Sequence, residues 1–388
     1  MLRATRPTPP VLFVLNSLIL GGSETKSIRM ANALAQRGAD VAVAYLNPPE
    51  QLLAEIEPGV RSIHLHRRGK FSLRALRELV SAIRARETPT LVTVNLYPAL
   101  YAAIARSWLG RDRFRLLMSV NTTEFLTQRD ERHMLLYRRV LRRADTVIFG
   151  AETQRRLWRE RYGIGRGESA PAGEIRHGPR GATTAVLYNG VDTDRFSAVR
   201  LSVPTRHRHL GTRYVIGTVG SMRPEKAQST LVAVTAALRA QGLDVGAVIV
   251  GDGPERHRIV AEIARLGLAE FVVLAGATRD VRPWLADMDV FVLPSIGVET
   301  FSNAALEAMA SGVPVVCSRV GGMEELIGYG GGVSFATGNV AELTSVLARL
   351  LRDESERQRL ARDARRAAVE RFGWDRMVDR FLALAAAR

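Results

Sequence analysis

The sequence has very little cysteine, few histidines and few aromatic residues, and each shortage excludes a class of protein. Its single cysteine, Cys317, cannot form an internal disulfide or a cysteine-based metal site, which favours a reducing, cytoplasmic compartment. The seven histidines include no HExxH zinc motif. Aromatic residues make up only 6% of the chain and form no visible array for stacking bases, which argues against a nucleic-acid partner.

Long apolar runs are also missing, since no stretch reaches the roughly 18 residues that a membrane-spanning helix needs. An apolar run at residues 11–20 follows two arginines like a signal peptide, but it lacks a small-residue cleavage site. Instead Gly21 and Gly22 follow at once, and then apolar residues at helical spacing. This pattern predicts a buried parallel strand, a glycine turn and a helix.

Strand and helix patterns alternate along the rest of the 388 residues, which predicts a doubly wound α/β architecture. The first series has strands near 61–65, 90–94, 115–120, 145–149 and 185–188, and helices near 72–86, 98–108 and 131–143. The second has strands at 214–219, 245–250, 271–274, 289–293 and 313–317, and helices at 226–240, 255–266, 281–286, 303–310, 340–352, 354–371 and 373–387. Two Rossmann-like domains facing each other across a cleft are therefore expected, with ligands at the carboxyl ends of both sheets.

The predicted boundaries are residues 1–196 for the first domain, 197–212 for a linker and 213–372 for the second domain. A C-terminal helix at 373–388 finishes the chain, and a return to the first domain is one arrangement for it. Residues 163–182, with six glycines and two prolines, predict a surface loop.

Positive charge is in excess: 55 lysines and arginines stand against 39 acidic residues, a formal net charge of +16. Membrane surfaces, nucleic acids and phosphorylated substrates are all partners for such a charge, while compositional drift toward arginine is the alternative explanation. Basic residues cluster between 61 and 86 and are interleaved with apolar ones. One interpretation is a basic amphipathic helix on an anionic leaflet, and the other is a helix packed on the sheet with solvated arginines. The basic residues are Arg61, Arg67, Arg68, Lys70, Arg74, Arg77, Arg84 and Arg86, and the apolar ones are Phe71, Leu73, Leu76, Leu79, Val80 and Ile83.

Several strand-to-helix turns have residues suited to phosphate. Gly21 and Gly22 predict either an anion site at a helix N-terminus or merely a tight turn. Arg223 and Lys226 follow the strand at 214–219, where two cations neutralise a phosphate pair without a metal, although surface cations in loops are common. The glycines of the Gly251-Asp252-Gly253 turn let backbone approach a ligand closely. The fingerprints of dehydrogenases and P-loop proteins are absent.

The strongest pattern lies between Pro294 and Pro314. Ser302 is the expected N-cap of a helix that ends at Gly312, so the first N–H groups of this helix are directed at a ligand. Glu299 precedes the helix and Glu307 lies within it, and carboxylates on either side of a helix end suit the hydroxyls and diphosphate of a sugar nucleotide. The alternative is that Glu299 caps a backbone group and Glu307 is a solvated helix residue.

These motifs resemble those of the retaining glycosyltransferases of the GT-B fold, family 4, also called glycosyl transferases group 1. The resemblance runs over nearly the whole chain in the expected order. It rests on Gly21-Gly22, Asn189-Gly190-Val191-Asp192, Pro224-Glu225-Lys226, Gly251-Asp252-Gly253-Pro254, the pair Glu299 and Glu307, Gly321-Gly322 with Glu325, and Phe372-Gly373-Trp374.

The resemblance implies an acceptor-binding first domain and a donor-binding second domain. Glu307 would hold the ribose hydroxyls, Glu299 the donor sugar and Lys226 the donor diphosphate. Gly21 and Gly22 would complete the phosphate site, together with Gly251, Gly253 and the backbone of Phe301, Ser302 and Asn303. Neither a metal nor another cofactor is expected.

The chain departs from the family pattern at three places. Ser221 replaces a frequent arginine, for which Arg223 is the expected substitute at the catalytic site. Asn121 replaces a frequent donor-contacting histidine and can form hydrogen bonds without carrying charge. The glycine-rich stretch 163–182 is longer than usual.

The resemblance therefore implies a retaining enzyme that moves a hexose from a UDP- or GDP-sugar to a lipid-linked, oligosaccharide or polysaccharide acceptor. Such reactions belong to cell-envelope or exopolysaccharide synthesis, in the cytoplasm or at the inner face of the cell membrane. Two alternatives stay open: a sugar-nucleotide epimerase of the same fold, and a non-catalytic protein that binds anionic surfaces.

Overall fold

The computed structural model describes residues 9–87, 89–121, 128–165, 182–197, 210–297 and 299–386, apart from the side chains of 128–132 and 135. The chain divides into two compact units, Met1–Tyr188 with Met377–Arg388, and Asn189–Arg376. The division after Tyr188 comes earlier than the sequence-based boundary at 196. Most of the predicted linker and of the glycine-rich stretch lies outside the described residues.

The first unit is built on a parallel seven-stranded sheet with the order β3-β2-β1-β4-β5-β6-β7. Strands β1, β2 and β4 are buried along their whole length, which explains their unbroken apolar sequences. The strands are β1 Val11–Leu15, β2 Val41–Tyr45, β3 Val60–His64, β4 Thr90–Val94, β5 Arg115–Val120, β6 Thr146–Phe149 and β7 Thr183–Val186. The helices are α1 Gly22–Gln36, α2 Leu73–Arg84, α3 Leu96–Leu109, α4 Gln128–Leu141 and α5 Glu152–Tyr162.

The second unit has a parallel six-stranded sheet with the order β10-β9-β8-β11-β12-β13. Its strands are β8 Tyr214–Val219, β9 Val245–Val250, β10 Val272–Gly276, β11 Val290–Leu293, β12 Val315–Ser318 and β13 Gly332–Phe335. Its helices are α6 Ser229–Ala240, α7 Arg256–Arg265, α8 Arg282–Asp287, α9 Asn303–Ala310, α10 Met323–Ile327, α11 Val340–Arg352 and α12 Glu354–Phe372. Helix α13, Trp374–Ala386, belongs to the first unit from Met377 onward, where Phe381 stacks on Phe13 of β1.

The structure corrects the sequence-based elements in a few places. Helices α5 and α10 and strand β13 were not predicted, because short or arginine-rich segments give weak periodicity. The helix expected to begin at 226 begins at Ser229 instead, since Pro224–Lys226 form a 3₁₀ turn. Ala227 then adopts a left-handed conformation with φ +47°. Lys226 therefore lies in a turn at the carboxyl edge of the sheet.

Helix α2 also decides between the two interpretations of the basic segment 61–86. Its apolar stripe, including Leu76, Leu79, Val80 and Ile83, is buried in the core of the first unit. A helix lying flat on a leaflet with that stripe inserted is therefore wrong. Phe71 and Leu73, at its N-terminal end, stay exposed. No helix within the described parts of the chain is long and apolar enough to cross a bilayer.

Candidate functional site

Glu299 is the centre of a hydrogen-bonded cluster at the carboxyl edge of the second sheet. It lies in the loop between β11 and α9, is only 6% exposed, and its Oε1 accepts from the ammonium group of Lys226. The buried hydroxyl of Ser295 donates to the same oxygen over 3.2 Å. Because a buried carboxylate is stable only with such partners, the cluster fixes the position of Glu299.

The loop that follows β12 holds the backbone of Glu299 from the other side. Gly322 N donates to Glu299 O over 3.2 Å. Gly321 has φ +56°, and a Cβ atom there would lie 1.5 Å from the same carbonyl oxygen. Glycine is therefore required at 321, both for its conformation and for the close approach of the two loops.

The turn that carries Lys226 is tied to the same loop, because Ile296 N donates to Glu225 O over 2.9 Å. This hydrogen bond explains how residues 73 positions apart come to form the Lys226–Glu299 pair. Arg223, at the start of the turn, has a side chain that is 62% exposed, and among the described residues its guanidinium reaches only Glu225, at 3.9 Å. Its guanidinium therefore stays accessible to an anion.

Helix α9 begins as the sequence predicted. Ser302 is the N-cap, and its hydroxyl accepts from Ala305 N over 3.3 Å. The N–H groups of Asn303 and Ala304 precede that position and have no partner within an α-helix, which makes this end a favourable place for phosphate oxygens. Glu307 lies half-buried in the second turn.

Both ends of α9 are anchored within the second unit. Phe301 is buried against Phe372, and its carbonyl accepts from Asn189 Nδ2 over 2.8 Å. At the other end, Arg365 of α12 donates to Ala310 O over 2.7 Å. The N-cap of α9 is Ser302, and the partners of the Glu299 carboxylate among the described residues are the side chains of Lys226 and Ser295.

Gly251 and Gly253 have a structural role that the sequence did not indicate. A Cβ atom on Gly251 would lie 2.0 Å from Gly220 O, and one on Gly253 would lie 2.5 Å from Met222 O. Both glycines have positive φ, at +135° and +156°. The turn therefore supports the backbone of the loop that leads to Arg223 and Lys226.

Of the predicted site residues, Gly21, Gly22 and Asn121 belong to the first unit, and Gly22 is the first residue of α1. Gly21 is the extended N-cap of α1, and the carboxylate of Glu24 lies over it, so this helix end already has an acidic neighbour. Asn121 follows β5, and its Nδ2 donates to Asn95 Oδ1 over 3.4 Å. Asn95 was missed by the sequence reasoning. Its φ of +68° is unusual for a residue other than glycine.

Burial also affects Cys317, which lies on β12. Removal of the thiol from water, with smaller contributions from Glu324 and Glu299, raises its pKa to about 12. The thiol is therefore neutral at physiological pH. Among the described residues, no cluster of histidine, cysteine and acidic side chains could hold a metal ion.

Comparison with known proteins matches each unit to a family model. The model of Glycosyltransferase Family 4 matches residues 20–170, and that of Glycosyl transferases group 1 matches residues 213–353. The chain is 31% identical to 2-deoxystreptamine glucosyltransferase of Streptomyces kanamyceticus over 48% of this chain and 50% of that protein. It is 30% identical to a GDP-mannose-dependent α-(1-6)-phosphatidylinositol monomannoside mannosyltransferase of Mycolicibacterium smegmatis over 61% of each chain. The match thus spans about half the length of these curated relatives.

Solved structures show the same architecture. Anabaena Alr3699/HepE in complex with UDP is similar with a TM-score of 0.80 and 21% identity, over 97% of this chain and 99% of that chain. WaaG, a glycosyltransferase involved in lipopolysaccharide biosynthesis, is similar with a TM-score of 0.70 and 16% identity, over 97% of this chain and 100% of that chain. The two parallel sheets have the GT-B fold. With both family models matched in order, the chain belongs to glycosyltransferase family 4, the glycosyl transferases group 1.

Proposed function

We propose that this protein is a retaining glycosyltransferase that moves a hexose from a UDP- or GDP-sugar to a lipid-linked or polysaccharide acceptor of the cell envelope. The observation that carries the proposal is the buried Glu299, held by Lys226 and Ser295 in the loop before a helix that bears Glu307. The functions of the relatives, glucosyl and mannosyl transfer, support it. A similar fold that binds UDP supports a nucleotide donor.

The residues of the second unit suit a donor diphosphate. An ammonium group has three N–H donors, and Glu299 takes one of those of Lys226; the other two have no partner among the described residues, and we propose that they donate to phosphate oxygens. The first N–H groups of α9 donate to the same charge, which grows as the sugar–phosphate bond breaks. In this proposal Glu299 contacts the sugar at its reacting end, while Glu307 accepts hydrogen bonds from the ribose hydroxyls.

We propose further that no metal takes part, because cations and helix N–H groups supply the stabilisation that a metal would otherwise give. Transfer is therefore expected to persist in excess EDTA. A complete loss of transfer that Mg²⁺ or Mn²⁺ restores would contradict this mechanism.

The test begins with mass spectrometry of the purified protein and a panel of sugar nucleotides, to identify the donor that is bound or hydrolysed. Glu307→Ala is then expected mainly to weaken donor binding, since a ribose contact is similar in ground and transition states. Glu299→Ala and Lys226→Ala are expected mainly to lower turnover at saturating donor. Loss of a charge-assisted hydrogen bond should lower the affected quantity, donor affinity or turnover, by about ten- to a hundredfold.

A matched control is Glu262→Ala, which removes a partly exposed glutamate of α7 that pairs with Arg265. This variant should leave donor affinity and turnover unchanged. Circular dichroism must show that each variant is folded. If folded Glu299→Ala and Glu307→Ala proteins keep wild-type turnover and donor affinity, the site assignment is wrong. An epimerised sugar nucleotide as the sole product would indicate an epimerase instead.

For the location of the enzyme we propose peripheral binding to an anionic membrane surface. The N-terminal end of α2 exposes Phe71 at 46% and Leu73 at 52%. Exposed basic residues flank this pair in the sequence, namely Arg68, Lys70, Arg74 and Arg77. Exposed apolar side chains beside cations are complementary to an anionic lipid surface.

Cosedimentation with phosphatidylglycerol vesicles tests the membrane proposal. The triple variant Arg68→Glu, Arg74→Glu, Arg77→Glu should lose binding. The control variant has the same change in charge at three exposed arginines of the second unit, Arg258, Arg352 and Arg359. This control should keep most of the vesicle binding. Equal loss in both variants would show that net charge alone, and no surface at α2, governs the binding.

A further inference from the structure

The carboxyl edge of the first sheet carries a row of asparagines, one after each of four strands. Asn16 follows β1, Asn47 follows β2, Asn95 follows β4 and Asn121 follows β5. Asn47 N donates to Asn16 O over 2.9 Å, and Asn47 Nδ2 lies 3.3 Å from Asn16 Oδ1. Ligands of open α/β sheets bind at this edge.

Arg67, which follows β3, is attached to the same row. Its Nε donates to Asn47 Oδ1 over 2.7 Å, and its guanidinium carbon lies 4.7 Å from the centre of the Tyr97 ring. The half-buried guanidinium is thus fixed by an amide on one side and by an aromatic face on the other.

Arg67 has no acidic partner among the described residues, in contrast to Arg61 and Arg106 of the same unit. Arg61 pairs with Asp40, and Arg106 pairs with Asp145. Within the described part of the chain, Arg67 makes no ion pair, and its two terminal nitrogens make no hydrogen bond. A guanidinium oriented in this way presents a planar fork of donors that matches the oxygens of a phosphate.

The asparagines offer neutral hydrogen bonds beside that fork. Asn16 Nδ2 and Asn95 Nδ2 have no partner among the described residues, while the Oδ1 atom of each is already used as an acceptor. Free amide donors suit hydroxyl oxygens. The strained backbone of Asn95, with φ +68°, is a second sign of a functional position.

An acceptor-binding first unit is what the family resemblance implies; from this arrangement we infer that the acceptor is a hydroxyl-rich group bearing a phosphate, and that Arg67 is the residue that recognises the phosphate. Arg67 takes the phosphate, and the amides of Asn16 and Asn95 take hydroxyls. The identification of this ligand as the acceptor rests on the proposed glycosyltransferase function. The phosphate site itself does not depend on that function. A glycolipid headgroup and a soluble sugar phosphate share this chemistry.

Calorimetric titration with two small probes, myo-inositol 1-phosphate and myo-inositol, measures how much the phosphate contributes to binding affinity. The wild-type protein is expected to prefer the phosphorylated probe about tenfold or more, as a bidentate, charge-assisted contact implies. Arg67→Gln should abolish the preference, whereas Arg84→Gln, which changes an exposed arginine of α2, should retain it. Asn16→Ala should lower the affinity for both probes by a similar factor.

Three results would overturn the inference: no preference in the wild-type protein, a preference that survives Arg67→Gln, or unaltered affinity for both probes in Asn16→Ala. Vesicles of phosphatidylcholine with and without phosphatidylinositol distinguish the sources. Tighter binding to the phosphatidylinositol vesicles than to the soluble probe indicates a lipid headgroup, and the reverse order indicates a soluble phosphate.

Binding of UDP and GDP to the same proteins separates this inference from the proposed function. If the wild-type protein binds a nucleotide but shows no phosphate preference among the inositols, only the acceptor inference fails. If it binds neither nucleotide while Arg67 still confers the preference, the glycosyltransferase proposal fails and the phosphate site stands. Arg67→Gln itself should leave nucleotide affinity unchanged.

Discussion

Gly321→Ala is the substitution for which the structure gives the sharpest expectation. The new Cβ atom would stand 1.5 Å from Glu299 O, a distance at which the two loops cannot keep their positions. The backbone of Glu299 therefore has to move away, and the hydrogen bond from Gly322 N to Glu299 O is weakened or lost. Because Glu299 O is backbone, no side-chain rotation relieves the clash.

The magnitude follows from two contributions. Alanine in a left-handed conformation costs about 1 kcal/mol, and the lost hydrogen bond costs about 1 kcal/mol more. For a unit of this size each kcal/mol lowers the unfolding midpoint by about 2–4 °C, so about 4–8 °C is expected. Turnover at saturating donor should fall about tenfold or more, because Glu299 is displaced from Lys226 and from the sugar it is proposed to contact.

Gly338→Ala is the matched control. Gly338 has φ +75°, but nothing lies within 4 Å of its added Cβ atom, so it carries the conformational cost alone. Calorimetry of both variants, followed by donor turnover, makes the comparison. Equal midpoints for the two variants, or a lowered midpoint in Gly321→Ala with wild-type turnover, would refute the reasoning that the close approach positions Glu299.

Three further outcomes are expected. Iodoacetamide at pH 8 should leave Cys317 unmodified in the native protein, since its pKa near 12 keeps the buried thiol neutral, and label it after unfolding; rapid native labelling would contradict this burial. Ser295→Ala should lower turnover more than it changes donor KM, because it removes a hydrogen bond to Glu299, and an unchanged turnover number would show that Lys226 alone suffices. The side-chain hydrogen bond from Arg282 lowers the pKa of Asp280 to about 2, below its unfolded value, so this pair stabilises the fold above about pH 4 and loses that effect toward pH 2. Arg282→Ala should therefore reduce the free energy of unfolding at pH 7 and reduce it by much less near pH 2, as urea titrations at both pH values can check.

The parts of the site that the sequence predicted are those governed by local chemistry. An apolar run before Gly21 and Gly22 is sufficient to predict a buried strand and a helix, because burial on both faces leaves little choice of residue. Helix α9 was predicted at its observed bounds, since Ser302 and Gly312 are strong signals for a helix start and end.

The contacts that the sequence did not predict join residues distant along the chain. The pairing of Lys226 with Glu299 depends on a hydrogen bond between two loops, and neither residue type indicates its partner. Gly251 is a similar case, because close approach to a ligand and close approach to another loop require the same glycine. The strain at Asn95 has no sequence signal beyond the tolerance of asparagine for positive φ.

The observed ion pair bears on how charge is balanced in the proposed donor site. Without a ligand, the Lys226 ammonium neutralises Glu299, whose buried carboxylate would otherwise be costly. A diphosphate adds negative charge that a single, already paired lysine does not offset. The guanidinium of Arg223, in the same turn, is exposed, and its ion-pair partner among the described residues is Glu225 at 3.9 Å, so we propose that its charge adds to that of Lys226 at the phosphates. In the proposed mechanism, Arg223 takes the place of the arginine that is frequent in the family where this chain has Ser221.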